Sequence, residues 1–375
     1  MFINDLPNDC LWMIFDSFFN LEELIKLSKV CSRWSNLISV RFSRVKYLLN
    51  ENTIDHIDYT KLWIRDPETI GNHNLRELLP NLRILDISAD FYGRGEKLED
   101  FSQLINNNTK IKGLIGLDFV NYHNLNLENI EMFAMDMFNY TKVFRPDQLK
   151  QIHFSEFYMQ YLFEIIEYFP NLKRLNISMF DGEEIRYNGP EMSNLKILES
   201  YTFEGHDNCS AFHLMDFCPS LESAFMKNFP EDDFIDLSLK NYNLRDLVIE
   251  MPTQEDMNWS FLRDLLSKYP NLHNLAIRMS DEIEDCHVEE LVEILPEVKL
   301  LDFRKCENIT QRSADFLAKY CAKSKRSIKI YYDCEKEPID WPKYDTPRES
   351  IVHGLDFMKH CFYKSFSNLP FLIDE

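Results

Sequence analysis

The chain has 375 residues, 45% of them apolar and 27% charged, the balance of a folded protein and too apolar for a disordered one. With 41 basic and 62 acidic side chains its formal charge is −21, and a surface that acidic repels phosphate backbones and anionic lipid. Nucleic acid and a membrane are therefore excluded as main partners, and no apolar run approaches the roughly 18 residues of a membrane-spanning helix.

Asp5, Asp9 and Asp16 leave no basic segment ahead of an apolar core, so no secretory signal is expected. Nine cysteines stand at irregular spacings with no C-x-x-C, which reads as free thiols in a reducing compartment, the cytoplasm or nucleus. The six N-x-[ST] sequons are then chance in an Asn-rich chain. Glycine is scarce, at nine residues, and Gly93-Arg94-Gly95 is followed by Leu98 where a dinucleotide fingerprint needs a third glycine. No cofactor is expected.

The first 50 residues carry a net charge of +1 and the remaining 325 carry −22, which implies two parts with different jobs. Leu11, Ile14, Phe15 and Phe18 fall on one face of a helix, with Pro7 ahead of its first turn and Asp9 near the positive end of its dipole. Asn20 with Glu23 resembles a capping box for a second helix, whose stripe holds Leu24, Leu27, Val30, Cys31 and Trp34. Three short helices in so few residues cannot bury much apolar surface alone, so this module is completed by a partner or by the rest of the chain.

Leu6-Pro7, Ile14-Phe15, Leu24, Leu27 and Val30-Cys31-Ser32-Arg33-Trp34 hold their spacing across nearly 30 positions and strongly resemble the F-box. Asp9 stands where that family prefers Glu, and Cys10 where it prefers Leu or Ile. The resemblance implies docking onto a Skp-type adaptor, which links the chain to a cullin–RING ubiquitin ligase. Leu6, Pro7, Ile14, Phe15, Leu24, Leu27, Val30, Cys31 and Trp34 are the adaptor-binding residues it implies.

Behind the module the phrase L-x-x-L-x-[LIF] recurs. It opens at Leu82, Leu149, Leu172, Leu195, Leu221, Leu244, Leu272 and Val298, with a mean step of about 25 residues from Leu149 on, inside the range of leucine-rich repeats. Pro-Asn-Leu marks the entries at Pro170 and Pro270, and Pro80 and Pro219 precede theirs. Helix-like stretches such as Met159–Phe169 and Trp259–Tyr269 lie between phrases. One unit within 105–135 is distorted or shortened, because Ile111 and Leu127 open phrases only 16 residues apart. Val298-x-x-Leu301-x-Phe303-x-x-Cys306 looks like the cysteine-containing repeat common in F-box proteins, which makes Cys306 a buried, inert turn residue.

The fold class expected is α/β: a short all-α F-box, then a leucine-rich-repeat solenoid with parallel strands on the concave face and helices on the convex face. Residues 1–48 form the F-box, 49–80 a linker and first irregular repeat, 81–334 the repeats, and 335–375 an extension with a capping helix. That helix follows the capping box Thr346-Pro347-Arg348-Glu349 and carries Ile351, Leu355, Met358 and Phe362 on one face. Strand alternation points Asp86, His153, Asn176, Glu199, Phe225, Val248, Ala276 and Asp302 out of the concave sheet, flanked by Gln151, Arg174, Asp246, Asn274, Arg278 and Arg304. Asp86, His153, Arg174, Asn176, Glu199, Phe225, Asp246, Arg278, Asp302 and Arg304 are the target-binding residues this suggests.

Acidic loop clusters at Asp181/Glu183/Glu184, Glu231/Asp232/Asp233, Asp281/Glu282/Glu284/Asp285 and Glu289/Glu290 read as a solvated rim. His206, Cys209, His213 and Cys218 have the residue types of a zinc site without its spacing, and no metal is expected. No nucleophile elbow, H-E-x-x-H or EF-hand loop occurs, so the chain is not expected to be an enzyme. The function implied is a substrate-recognition subunit of a Skp–cullin–F-box ligase, holding an unidentified protein target by position alone. The alternative is a non-degradative scaffold that binds the Skp adaptor.

Overall fold

The computed structural model describes residues 3–50, 60–66, 68–86, 98–116, 125–135, 140–179, 187–202, 211–227, 235–250 and 258–334. The expected C-terminal helix, the first two acidic loop clusters, His206 and Cys209 lie outside the described residues. The chain divides into two compact units between Gln151 and Ile152.

Three helices open the first unit: α1 (Asn8–Asp16), α2 (Leu21–Ser28) and α3 (Ser32–Ser43). Asn20 caps α2 by accepting the Glu23 amide at 2.7 Å, which satisfies one of the orphan donors of the first turn. The single stripe expected from Leu24 to Trp34 is broken. Cys31 adopts extended backbone (φ −161°, ψ 165°) as the N-cap of α3, so Val30 projects from the connection between two helices. Leu11, Phe15, Leu21, Leu24, Trp34 and Ile38 form the buried centre, with Phe15 edge-on to Trp34 at 5.2 Å.

Five strands follow: β1 (Tyr47–Asn50), β2 (Lys61–Ile64), β3 (Ile84–Asp86), β4 (Gly113–Ile115) and β5 (Met132–Met135). They are parallel, in the spatial order β2-β1-β3-β4-β5. Residues 49–80, read as a linker and first irregular repeat, supply β2 and the short helices α4 (Glu68–Asn72) and α5 (Leu75–Leu78). The helices are bonded directly to β2. The Trp63 amide donates to Phe19 O at 2.8 Å, the Glu22 carboxylate accepts the amides of Arg65 and Asp66 at 3.0 and 2.9 Å, and buried Arg41 donates to Lys61 O at 3.1 Å. Helix α6 (Leu98–Asn107) precedes β4.

The register resolves the irregular stretch. Leu114 pairs with Phe133, so the phrase in β5 is Ile130-x-x-Phe133 and not Leu127-x-x-Ile130. Ile111, Ile130 and Leu149 then open units of 19 residues each, two short units in succession. At β4 a side chain would not fit. A Cβ on Gly113 would meet Met132 at 2.8 Å and Ile84 at 2.9 Å, the flanking positions of the same row.

The second unit carries β6 (Gln151–Phe157), β7 (Arg174–Met179), β8 (Ile197–Thr202), β9 (Ser223–Lys227), β10 (Asp246–Glu250), β11 (Asn274–Arg278), β12 (Leu300–Phe303) and β13 (Lys329–Tyr332), adjacent in chain order. Strand starts are 23 to 29 residues apart. Between strands lie α7 (Leu162–Tyr168), α8 (Ala211–Leu214), α9 (Trp259–Leu266), α10 (Asp285–Ile294) and α11 (Gln311–Ser324). The two apolar anchors of each phrase are buried throughout, as with Leu172/Leu175, Leu244/Leu247 and Leu272/Leu275. β13 repeats the geometry without the phrase, since Ile330 pairs with Leu301 but no leucine stands three residues before it.

One recurrent contact stitches the units. The asparagine just before a phrase reaches back to a carbonyl just ahead of the neighbouring strand: Asn81 to Ser43, Asn194 to Pro170, Asn243 to Pro219 and Asn271 to Tyr242, at 2.7 to 2.9 Å. In a parallel repeat each entry loop leaves a carbonyl that no ladder partner reaches, and an amide side chain at this position fills the need.

Candidate functional site

The nine residues expected to meet an adaptor separate into two groups. Phe15, Leu24 and Trp34 are buried and hold the three helices together. Leu6, Ile14, Leu27 and Cys31 are half-buried, and Pro7 and Val30 are exposed. The exposed large apolar side chains of this part, among the described residues, are Ile3 (47%), Met13 (76%), Val30 (57%) and Val40 (40%). Ile3, Met13 and Val40 were not singled out in the sequence, because each lies off the main helical stripe.

The segment ahead of α1 is held by α3. Arg33 donates Nη1 to Asn4 O (2.6 Å), Nη2 to Leu6 O (2.7 Å), and Nη2 and Nε to Asn8 Oδ1 (2.8 and 2.9 Å). Trp34 Nε1 donates to Asn4 Oδ1 at 2.8 Å. The sequence does not reveal this clamp of Asn4, Asn8 and Arg33, and its one signal is Arg33 inside the Val-Cys-Ser-Arg-Trp motif.

The row expected to face outward from the strands is different in character. Asp86, Arg174, Asn176, Glu199, Phe225, Asp246, Arg278, Asp302 and Arg304 are all buried, and His153 is half-buried. In the second unit the polar groups of several of them are engaged within the sheet. Arg174 forms a two-point ion pair with Glu199 (Nε–Oε2 2.8 Å, Nη2–Oε1 2.7 Å), and Asn176 Nδ2 donates to the same carboxylate at 3.1 Å. His153 Nδ1 lies 2.9 Å from Asn176 Oδ1. Asp302 accepts from Arg278 (3.0 Å) and from Arg304 (2.9 and 2.7 Å). Burial pushes the Asp302 carboxyl up, but the two guanidiniums outweigh it and hold it below the usual carboxylate range.

Asp246 accepts from Ser223 Oγ (2.8 Å) and Asn274 Nδ2 (2.7 Å), both neutral, and burial raises its pKa to about 6. In the sequence the sign of this row was visible only as complementary charge one repeat apart, Arg174 with Glu199 and Arg278 with Asp302.

The remaining described candidates make contacts within the fold. Cys306 donates to Ile277 O at 3.3 Å, and burial pushes its thiol up to about 12, away from nucleophilic use. Cys218 donates to Leu214 O at 3.1 Å, and His213 Nε2 lies 2.9 Å from Tyr187 O. Asp285, read as part of a solvated rim, instead accepts from Thr310 N (2.9 Å), Thr310 Oγ1 (2.6 Å) and Ser313 Oγ (2.6 Å), anchoring the start of α11. Burial raises its carboxyl, and these bonds more than reverse the effect.

Among curated proteins no relative matches the chain. Among solved structures it is similar to the chain in the crystal structure of the Rad7 and Elc1 complex in yeast, at 14% identity and a TM-score of 0.41, over 82% of this chain and 90% of that one. Residues 3–43, the three helices and the clamped segment before them, match the F-box-like family, and the chain therefore carries an F-box-like domain ahead of its parallel strands.

Proposed function

We propose that this chain is a substrate-recognition subunit of a Skp–cullin–F-box ubiquitin ligase, held to a Skp-type adaptor by residues 3–43 and to a target protein by its strand–helix units, read as leucine-rich repeats. The observation that carries the reading is the F-box-like match, on a module that leaves Ile3, Met13, Pro7 and Val30 in water. Its work is positional. It raises the effective concentration of the target at the ligase and does no chemistry of its own. The cytoplasm or nucleus is the compartment proposed.

The buried row leaves the target-binding surface to other side chains of the second unit. Tyr158, Tyr161 and Phe163 around the start of α7, and Leu237, Leu239 and Tyr242 before β10, are its exposed large apolar residues among those described.

The test uses point variants of the full chain, because deleting the module would strip β2 of its bonds to Phe19, Glu22 and Arg41. Leu6→Ala with Pro7→Ala should abolish co-purification with the adaptor and cullin while leaving the repeats folded. In cells, proteins that accumulate with this variant would be the ligase's targets. Retained co-purification would refute the assignment of these residues. Loss of the adaptor with no change in any protein's level would favour the scaffold.

A further inference from the structure

The segment Ile3–Asn8 has little of its own to hold it. It contains one 3₁₀ turn, Ile3–Asp5, and a bond from the Leu6 amide to Ile3 O at 3.2 Å, and none of its residues is fully buried. Exposed chain of this kind is not ordered by packing, and fixing it costs conformational entropy residue by residue. Helix α3 contributes to the ordering: four hydrogen bonds from Arg33 and one from Trp34 fall on Asn4, Leu6 and Asn8, so that Leu6-Pro7 is gripped on both sides. All the acceptors are neutral, two carbonyls and two side-chain amides. A planar guanidinium reaches three of them at once, whereas an ammonium has no such fork.

Resting on the adaptor reading of residues 3–43, we propose that Arg33 is a positioning residue for adaptor docking. It holds Leu6 and Pro7 in their docking conformation before the adaptor arrives, so the cost of ordering the segment is met in folding and not in binding. The contact surface itself is made by the apolar side chains. Arg33 acts through them.

The test titrates the 375-residue chain with a purified Skp-type adaptor by calorimetry, alongside hydrogen exchange of residues 3–8 in the unbound protein and thermal unfolding. Arg33→Gln and Arg33→Lys should bind roughly 10- to 100-fold more weakly, with the loss appearing as a less favourable binding entropy. Asn8→Ala removes two of the four Arg33 bonds at an exposed position and should fall between them and the wild type, with its unfolding temperature unchanged. In all three the Leu6 amide should exchange faster than in the wild type.

If Arg33→Gln fails to fold, Asn8→Ala decides alone. Wild-type affinity and entropy in Asn8→Ala, or full rescue by Arg33→Lys, would overturn the proposal while leaving the adaptor reading intact. A wild-type chain that does not bind the adaptor overturns that reading first, and the positioning role falls with it.

Discussion

Three carboxylates on the second unit's sheet face show how a partner decides the behaviour of a buried acid. Glu199 meets one guanidinium and Asp302 two, while Asp246 meets only Ser223 and Asn274, with Arg245 and Glu222 as opposing charges farther off. Removing Glu199 breaks a buried two-point ion pair, and Glu199→Ala should cost about 3–5 kcal/mol in urea unfolding. Asp246 works in the opposite direction with pH. Its folded pKa of about 6 lies above the roughly 3.9 of an unfolded Asp, so the folded chain holds the proton more tightly. Its contribution is fully present below the unfolded value and is lost as pH rises through the folded one. The difference in stability between wild type and Asp246→Asn should therefore shift against the wild type between pH 4 and 6, by about 2 kcal/mol. A pH-independent difference would show that Asp246 has the same pKa in the folded and unfolded chain, and would contradict the upward shift. That this row is buried was not legible in the sequence, because strand alternation assigns a side chain to a face and says nothing of what covers the face.

At the scale of elements, helices and strands were legible where one pattern had one reading. The spacing of Leu11, Ile14 and Phe15 and the cap at Asn20 gave α1 and α2, and the repeated phrase gave every strand of the second unit but β13 at its observed position. Legibility failed where a pattern fitted twice. Leu127, Ile130 and Met132 satisfy the phrase as well as Ile130 and Phe133 do, and only the pairing of Leu114 with Phe133 separates the two registers. Val30 and Cys31 likewise fit a helical stripe that the backbone interrupts. The asparagine rungs were half-visible as Pro-Asn-Leu, without their purpose. Asn243→Ala should cost about 1 kcal/mol, since it leaves the Pro219 carbonyl without its donor, whereas Asn243→Asp should be no better, having lost the N–H. At the far end of α11, Lys325 takes a left-handed conformation (φ 57°) as the C-cap, which favours glycine, so Lys325→Gly should raise stability by about 0.5–1 kcal/mol in the same unfolding assay.

For the molecule as a whole, the charge difference between a nearly neutral module and a strongly acidic remainder matches a division of labour. The helical module spends its apolar surface partly on itself and keeps Ile3, Met13 and Val30 in water. Phe15, Leu24 and Trp34 are internal, so variants at Phe15 or Trp34 would report on folding, while on the proposed adaptor reading variants at Leu6, Pro7, Met13 and Val30 would report on docking. Met13→Glu should thus weaken adaptor binding at least tenfold with a change in stability within about 0.5 kcal/mol, as expected for an exposed site. The most direct measurement is calorimetric titration of the intact 375-residue chain with a purified Skp-type adaptor, comparing wild type with Leu6→Ala/Pro7→Ala. The account predicts a saturable one-to-one complex for the wild type and none for the variant, with both chains equally folded by circular dichroism. Absence of heat and of a complex with the wild type, or the same affinity for both, would contradict it.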